Sequence, residues 1–237
     1  MKSPNPEEKS SSLISIYQFG FLNLKQFQYL KLLESFLSEK FYAQLRTKET
    51  LGYIVNLSVA QFSGYYCFLN IVQSNSKTSE YCASRVRNFY KECLQKVKDI
   101  TDEEFKTLVD SRISLLTQKD DNLSEEFARN WSELNDNTYL FDRIDKSIDH
   151  LKQCNKEELI QFYEKYCIKD VTILDSEFLC EEHYEQNEKD LKETKILEGE
   201  NIIKRIICDN LDDFKACNCL GFVYNNPTFM LNNDLIN

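Results

Sequence analysis

Apolar residues follow a two-residue period near the start of the chain and a helical period soon afterwards. Residues 13 to 17 include the β-branched Ile14 and Ile16 and partly alternate in polarity, which predicts a strand. Residues 53 to 60 and 65 to 72 alternate on either side of a Phe-Ser-Gly turn and predict a β-hairpin. From about residue 23 to 46, spacings of three and four predict one long amphipathic helix whose apolar stripe contains Phe27, Leu30, Leu33, Leu37, Phe41 and Leu45.

The part of the chain after the hairpin has mainly helical patterns. They predict helices over about residues 78 to 97, 101 to 116, 123 to 136 and 155 to 167, followed by a short strand over residues 171 to 174. Strand, helix, hairpin, several helices and strand follow one another with almost no proline. This order predicts an α+β fold, with a mainly antiparallel sheet covered by a layer of helices.

Three regions are expected along the chain. Residues 1–12 form a polar leader, residues 13–176 form the α+β domain, and residues 177–237 form an acidic excursion and a C-terminal tail. Residues 175 to 204 carry ten acidic and four basic side chains, so we expect a solvent-exposed segment, partly helical or mobile. The apolar residues that follow, among them Phe214, Leu220 and Phe222, are expected to return to the domain.

Composition excludes several classes of function. The chain has 237 residues, a formal net charge of -10 and no dense cluster of basic residues, so nucleic acid is not expected as a partner. Its five glycines cannot form a G-x-G-x-x-G or G-x-x-x-x-G-K-[ST] motif, which excludes the common phosphate-binding loops. No run resembles a signal peptide or a membrane span, so we expect a cytoplasmic protein without a membrane partner.

Nine cysteines at irregular spacing are expected to be free thiols, several of them in the core. The two histidines, His150 and His183, belong to neither H-E-x-x-H nor H-x-x-E-H, so this chain is not expected to hold a catalytic zinc ion. Cys180 and His183 could share a metal with Cys217 and Cys219, but paired C-x-x-C spacing is absent and a structural role is favoured. A Cys/His nucleophile pair is also conceivable, although no spacing selects one.

Residues 45 to 55, with the sequence LRTKETLGYIV, stand out because they run from a predicted helix end into a predicted strand. Arg46 and Tyr53 flank this turn, where their side chains can converge on one point. A purely structural interpretation also explains the segment: Arg46 and Lys48 complement the helix dipole, Gly52 is a turn residue and Tyr53 packs in the sheet. Elementary physical chemistry alone favours this structural interpretation.

The longer string Phe41-Tyr42-x-x-Leu45-Arg46-Thr47-Lys48-Glu49-x-Leu51-Gly52-Tyr53-Ile54-Val55 resembles the signature of the insulinase branch of the insulinase/pitrilysin zinc metallopeptidases. The resemblance covers about residues 13 to 175. Further short matches stand in family order, among them Ile71-Val72-Gln73-Ser74, Ser84-Arg85-Val86, Leu123-Ser124-x-Glu126, Trp131-x-Glu133 and Phe141-Asp142-Arg143.

The resemblance implies an enzyme of two halves, each made of two related α+β domains, that close around a peptide in a chamber. In this family the first domain holds zinc through H-x-x-E-H and a later glutamate. Because this chain lacks that motif, it resembles the fourth, C-terminal domain. We therefore expect zinc in the N-terminal catalytic half of the parent enzyme and none in this segment. The segment alone is expected to be inactive, with the N-terminal half and peptide substrates as its partners.

The resemblance also implies roles for three residues. Arg46 would bind a substrate main-chain carbonyl near the scissile bond, Tyr53 would donate its hydroxyl to the developing oxyanion, and Tyr42 would line the pocket beside them. A guanidinium stays charged and a phenol keeps its proton near neutral pH, so both are suitable fixed donors. Neither group can activate water.

Two other functions stay open at this point. The chain could be a non-catalytic insulinase-like module for peptide capture or subunit assembly, although such a module has no chemical need for Arg46 and Tyr53 at one turn. Alternatively, it could be an acidic α+β scaffold that binds a protein partner through residues 175 to 204. An H-x-x-E-H motif upstream of Met1 in the parent protein would favour the peptidase.

Overall fold

Four strands form one sheet in the computed structural model, which describes residues 2–62, 64–136 and 138–185. Every neighbouring pair is antiparallel, and the order across the sheet is β2-β3-β1-β4. The predicted hairpin is confirmed, since β2 and β3 are consecutive and paired. The strands are β1 (Ser11–Gly20), β2 (Ile54–Phe62), β3 (Tyr65–Ser74) and β4 (Thr172–Phe178).

Six α-helices lie between β1 and β4 along the described part of the chain. The first and third begin with capping boxes, at Asn23 with Gln26 and at the predicted Thr101 with Glu104. The fifth helix was not predicted. The helices are α1 (Leu24–Tyr42), α2 (Ser79–Lys98), α3 (Asp102–Leu116), α4 (Leu123–Asn135), α5 (Arg143–Lys152) and α6 (Lys156–Tyr163).

The core lies between one face of the sheet and the covering helices. Alternate residues of β1 are buried, from Ser11 to Phe19, because successive side chains of a strand point to opposite faces. Tyr17 of β1 stacks on Tyr90 of α2 with ring centroids 4.2 Å apart, and the apolar stripe of α1 is fully buried at Leu30, Leu33, Leu37 and Phe41. The predicted fold, an antiparallel sheet covered by helices, is confirmed.

The long helix predicted to reach residue 46 ends its regular α-helical part at Tyr42 and continues as a π-helical turn, Ala43–Lys48. The Glu49 amide donates to the Gln44 carbonyl oxygen at 3.0 Å, a step of five residues instead of four. α6 ends in the same way, with a π-helical turn over Glu164–Lys169. Both wide turns lead into the outer strands of the sheet, β2 and β4.

The end of the described chain corrects one expectation. β4 continues four residues beyond the predicted strand, and Leu179 and Cys180 are buried. The Asp175 carboxylate pairs with Arg87 at 2.7 Å, so residues 175–180 belong to the sheet and core and are not the start of an exposed acidic segment. The remainder of that segment and the predicted returning tail lie outside the described residues. No helix in the described part combines the length and apolar character needed to cross a membrane.

Candidate functional site

The π-helical turn after α1 and the start of β2 bring together the three residues singled out in the sequence. The Arg46 guanidinium donates through Nη1 to the main-chain carbonyl oxygen of Tyr53. Its Cζ atom lies 4.6 Å from the centroid of the Tyr53 ring and 5.3 Å from that of the Tyr42 ring. Both distances fall within the range of cation–π contacts. Arg46 is therefore held next to two aromatic rings at one surface point.

Tyr53 is 82% exposed and Tyr42 is 45% exposed. The structural interpretation in which Tyr53 packs in the sheet is therefore wrong, because its ring lies almost entirely in solvent. Such a side chain adds little to the stability of the core. Its phenol group is free to meet a ligand from outside the domain.

The loop between Arg46 and Tyr53 is fixed by Glu49, whose role the sequence reasoning missed. The Glu49 carboxylate accepts two hydrogen bonds from Arg85 of α2, at 2.6 and 2.7 Å, and a third from Gln44 at 2.7 Å. The Arg85 hydrogen bonds lower the pKa of Glu49 despite its partial burial. On either side of the loop, Leu45 and Leu51 are buried in the core.

Gly52 is required at its position for a reason that differs from the predicted turn. A Cβ atom at Gly52 would lie 1.7 Å from the main-chain oxygen of Gln73 in β3, so only glycine fits between the loop and the strand. Thr50, two residues earlier, has a φ of 51° in the left-handed region. The loop is thus pressed against the sheet immediately before Tyr53.

This arrangement can bind and polarise a carbonyl group. A guanidinium has five N–H donors, and the hydrogen bond to Tyr53 uses only one of them. The exposed phenol adds an O–H donor on the same surface. Both donors are attached to backbone that the core and the Glu49–Arg85 ion pair hold in place, which is the arrangement that preorganised electrostatic stabilisation requires.

Of the candidate metal ligands that the sequence left open, Cys180 and His183 lie within the described residues. His183 Nδ1 lies 2.8 Å from the Ser11 hydroxyl oxygen, which also accepts a hydrogen bond from the Cys180 amide at 3.0 Å. Among residues 2–62, 64–136 and 138–185, no three or more His, Cys, Asp or Glu side chains form a group that could hold a metal ion. Cys217 and Cys219 lie outside this part of the chain.

The six cysteines within the described residues are free thiols, as predicted, and five of them are buried. Burial raises the pKa of the Cys67 thiol to about 11 and that of Cys82 to about 12. Burial also raises the pKa of Cys93 and Cys154 to about 11. Because the thiolate is the nucleophile, these four groups are unsuited to covalent catalysis at neutral pH.

Comparisons with known proteins identify the family of the chain. A family profile described as "PQQ synthase PqqF-like, C-terminal lobe domain 4" matches residues 32–131. Insulin-degrading enzyme-like 2 of Arabidopsis thaliana is 32% identical over 204 residues, which cover 84% of this chain and 21% of that protein. Human nardilysin is 32% identical over 168 residues, covering 70% of this chain and 15% of that protein.

Two solved structures share the fold. Pitrilysin matches 75% of this chain and 19% of its own with a TM-score of 0.66 and 22% identity. An M16 peptidase inactive domain from Pseudomonas fluorescens matches 75% of this chain and 42% of its own with a TM-score of 0.56 and 13% identity. The chain spans about a fifth or less of the length of the two curated relatives. On these matches and the fold, the chain belongs to the insulinase-like (pitrilysin) family, in which it is a C-terminal domain.

Proposed function

We propose that this chain is the C-terminal segment of an insulinase-like zinc metalloendopeptidase that cleaves peptides in a closed chamber. In this proposal the segment supplies Arg46 and Tyr53 as contacts for the substrate and the oxyanion, and Tyr42 lines the pocket beside them. The observation that carries the proposal is the convergence of Arg46 and the exposed Tyr53 on a loop held in place by the core.

Arg46 binds the substrate main chain in this proposal. Its guanidinium already binds one main-chain carbonyl, that of Tyr53, so a peptide carbonyl offers it a chemically equivalent acceptor. The rings of Tyr42 and Tyr53 lie near the guanidinium and limit the directions in which it can move. A positioned cation of this kind orients the scissile peptide before reaction.

Tyr53 stabilises the negative charge that develops on the scissile carbonyl oxygen. A preorganised donor to such an oxyanion is worth about 2.7–4 kcal/mol of transition-state stabilisation. Zinc in the N-terminal half of the parent enzyme would supply the activated water. In this proposal the segment itself contributes substrate binding and charge stabilisation through Arg46 and Tyr53.

A second function is supported by one comparison. A structural neighbour carries the description M16 peptidase inactive domain, and a non-catalytic module of this kind would capture peptides or assemble with another subunit. That role requires a surface but no oxyanion donor. Arg46 and the solvent-exposed Tyr53 at one point favour the catalytic function over this alternative.

Replacing Tyr53 by phenylalanine in the parent enzyme tests the proposal, because the change removes one hydroxyl from an exposed ring. We expect kcat to fall by about 10²–10³-fold while the folded structure is retained. Tyr81→Phe is the matched control, since Tyr81 is 44% exposed on α2, and its kcat should equal that of the wild type. An unchanged kcat in Tyr53→Phe would remove Tyr53 from the mechanism and leave the non-catalytic module as the better account.

A further inference from the structure

The side chain of Tyr53 has few contacts within its own domain. Its main chain is fixed, because Leu51 is buried in the core and Gly52 lies against β3. Tyr53 itself is 82% exposed, so packing does little to restrict its two side-chain torsion angles. Within the part of the chain that the structure describes, Arg46 is the only residue whose side chain makes a polar or cation–π contact with Tyr53. The orientation of the phenol ring therefore depends on Arg46.

Arg46 contacts Tyr53 in two ways. Its Nη1 atom donates to the Tyr53 main-chain carbonyl oxygen, and its Cζ atom lies 4.6 Å from the centroid of the Tyr53 ring. The hydrogen bond fixes the guanidinium relative to the Tyr53 backbone, and the cation–π contact favours the torsion angles that place the ring against it. A guanidinium can make both contacts at once, because its donors lie in its plane and its face can stack on an aromatic ring.

Tyr42 orients Arg46 in turn. Tyr42 is the last residue of α1, and Arg46 follows it by four residues on the π-helical turn. The Arg46 Cζ atom lies 5.3 Å from the centroid of the Tyr42 ring, within the range of a cation–π contact. Phe41 and Leu45, which precede these two residues, are fully buried and anchor α1 and the turn in the core. A continuous set of contacts therefore connects the buried helix with the exposed phenol.

We propose that Arg46 and Tyr42 are positioning residues for Tyr53, which hold its phenol ring in one orientation. This inference rests on the proposed function, in which the Tyr53 hydroxyl donates to the oxyanion. It gives Arg46 a second role beside its contact with the substrate carbonyl. An oxyanion donor is most effective when its direction is fixed before the reaction, because the site then needs no reorganisation as the charge develops. A phenol on an exposed and unrestrained ring lacks this advantage.

A double-mutant cycle in the parent enzyme separates the positioning role of Arg46 from its substrate contact. We expect Arg46→Gln to lower kcat by about 10–100-fold, since misplacing a catalytic group by about 1 Å has effects of this size. In a Tyr53→Phe background no hydroxyl is left to position, so the same change should lower kcat by less than about threefold. A rise in KM from the lost substrate contact should be equal in both backgrounds. An equal loss of kcat in both backgrounds would overturn the proposal.

Substitutions of Tyr42 separate the effect of its ring from that of its hydroxyl. Tyr42→Phe keeps the ring face that contacts Arg46, so its kcat should stay within about twofold of the wild type. Tyr42→Leu keeps an apolar side chain but removes the ring, and should lower kcat by about three- to fivefold, the size of an exposed cation–π contact. In the Arg46→Gln background, Tyr42→Leu should have no further effect on kcat. Equal kcat values for Tyr42→Leu and wild type would overturn the role of Tyr42.

The orientation of the Tyr53 ring can be measured without catalysis. Incorporation of 3-fluorotyrosine at position 53 alone gives a single ¹⁹F resonance from residues 1–237. Its chemical shift in the folded chain should differ from that in urea, and Arg46→Gln should move it most of the way to the urea value. Lys48→Gln is the matched control, since it also removes a positive charge from the π-helical turn, and should leave the shift unchanged. A shift that does not respond to Arg46→Gln would overturn the proposal.

These measurements separate the positioning contacts from the proposed chemistry. The ¹⁹F shift is measured on this chain alone, so it does not depend on peptidase activity. A shift that responds to Arg46→Gln, in a parent enzyme whose kcat is unchanged by Tyr53→Phe, would contradict the proposed function while the orientation of Tyr53 by Arg46 stands. A kcat lowered by Tyr53→Phe, together with independent effects of Arg46 and Tyr53, would support the proposed function and overturn the positioning role.

Discussion

At the scale of single residues, the candidate site depends on residues other than Arg46 and Tyr53 themselves. Glu49, Arg85 and Gly52 hold the loop from which Arg46 and Tyr53 project. Their contribution is to place the two donors, since preorganisation is what makes a hydrogen-bond donor effective in a transition state. Substitutions of these residues should therefore lower the catalytic rate although none of the three is itself a proposed donor.

Glu49→Gln should lower kcat/KM of the parent enzyme by about tenfold, because it weakens charge-assisted hydrogen bonds from Arg85 that fix the loop. The pKa of Glu49 is lowered, so the wild-type ion pair persists as the pH falls to the ordinary glutamate value and is lost only below it. The loss of kcat/KM in Glu49→Gln should consequently be about the same at every pH above that value. The measurement is kcat/KM of the wild type and the variant between pH 5 and 8.

The control for this prediction is Arg87→Gln. Arg87 lies on the same helix as Arg85 and pairs with Asp175 at 2.7 Å, with similar burial, but contacts β4 instead of the loop. This variant should lose some stability and keep its kcat/KM and pH profile. If both variants lose activity in proportion to stability alone, Glu49 has no positioning role.

Gly52→Ala should destabilise the domain by about 3 kcal/mol or more, because the new Cβ cannot coexist with the Gln73 oxygen without displacing the loop from β3. Gly20→Ala is the comparison: that glycine has a φ of 77° but no atom within 4 Å of a built Cβ, so only about 1–2 kcal/mol of backbone strain is expected. Urea denaturation of the two variants measures both values. A smaller loss for Gly52→Ala would contradict the close approach.

At the scale of secondary-structure elements, hydrophobic periodicity predicted most of the architecture. The long helix, the hairpin and the helix that begins at Thr101 are present close to their predicted bounds. α5 was not predicted, although its three apolar residues, Ile144, Ile148 and Leu151, are spaced by four and three as in a helix. The π-helical turn at Ala43–Lys48 was missed because one extra residue in a turn does not alter the spacing of apolar residues along the sequence recognisably.

Local sequence patterns also predicted only part of the candidate site. Arg46 and Tyr53 were identified through the resemblance of residues 41–55, whereas elementary physical chemistry alone favoured a structural role for both. The ion pair between Glu49 and Arg85 joins residues 36 positions apart, and such contacts depend on how α2 packs against the loop. Local patterns carry no information about that packing.

Glu133→Gln tests how α4 is attached to the domain, since Glu133 is the buried residue of this helix and pairs with Arg143 of α5. Burial opposes the charge of Glu133, but hydrogen bonds from Arg143 and Thr138 outweigh it and lower the pKa. Because the pKa of Glu133 is lowered in the folded state, its charge stabilises the fold at pH values above the ordinary glutamate pKa. This stabilisation is lost as the pH falls through the pKa of the folded state. We expect a loss of about 1.5–3 kcal/mol at pH 7.

That loss should shrink below pH 4.5, the ordinary glutamate value, as the wild-type carboxylate becomes protonated. Urea denaturation at pH 7 and pH 3 measures the difference. Glu104→Gln serves as a control on an exposed capping glutamate, for which only a small loss is expected at either pH. A pH-independent loss in Glu133→Gln would contradict the attachment of α4 through a charged Glu133.

At the scale of the whole molecule, the proposed function makes the described domain one part of a larger catalyst. Its candidate donors Arg46 and Tyr53 lie at one surface, where Tyr53 is exposed. The chain covers 21% or less of the two curated relatives, which is consistent with a segment that functions inside a larger enzyme. The exposed donors are explained if an upstream portion supplies the zinc centre, as proposed.

Hydrolysis of an internally quenched peptide tests the central claim most directly. The assay compares this chain alone, the upstream portion alone and their mixture, each with and without a metal chelator. The account predicts chelator-sensitive cleavage in the mixture only, and a rate about 10²–10³-fold lower when the chain carries Tyr53→Phe. Cleavage by this chain alone, or a mixture whose rate is unaffected by Tyr53→Phe, would contradict it.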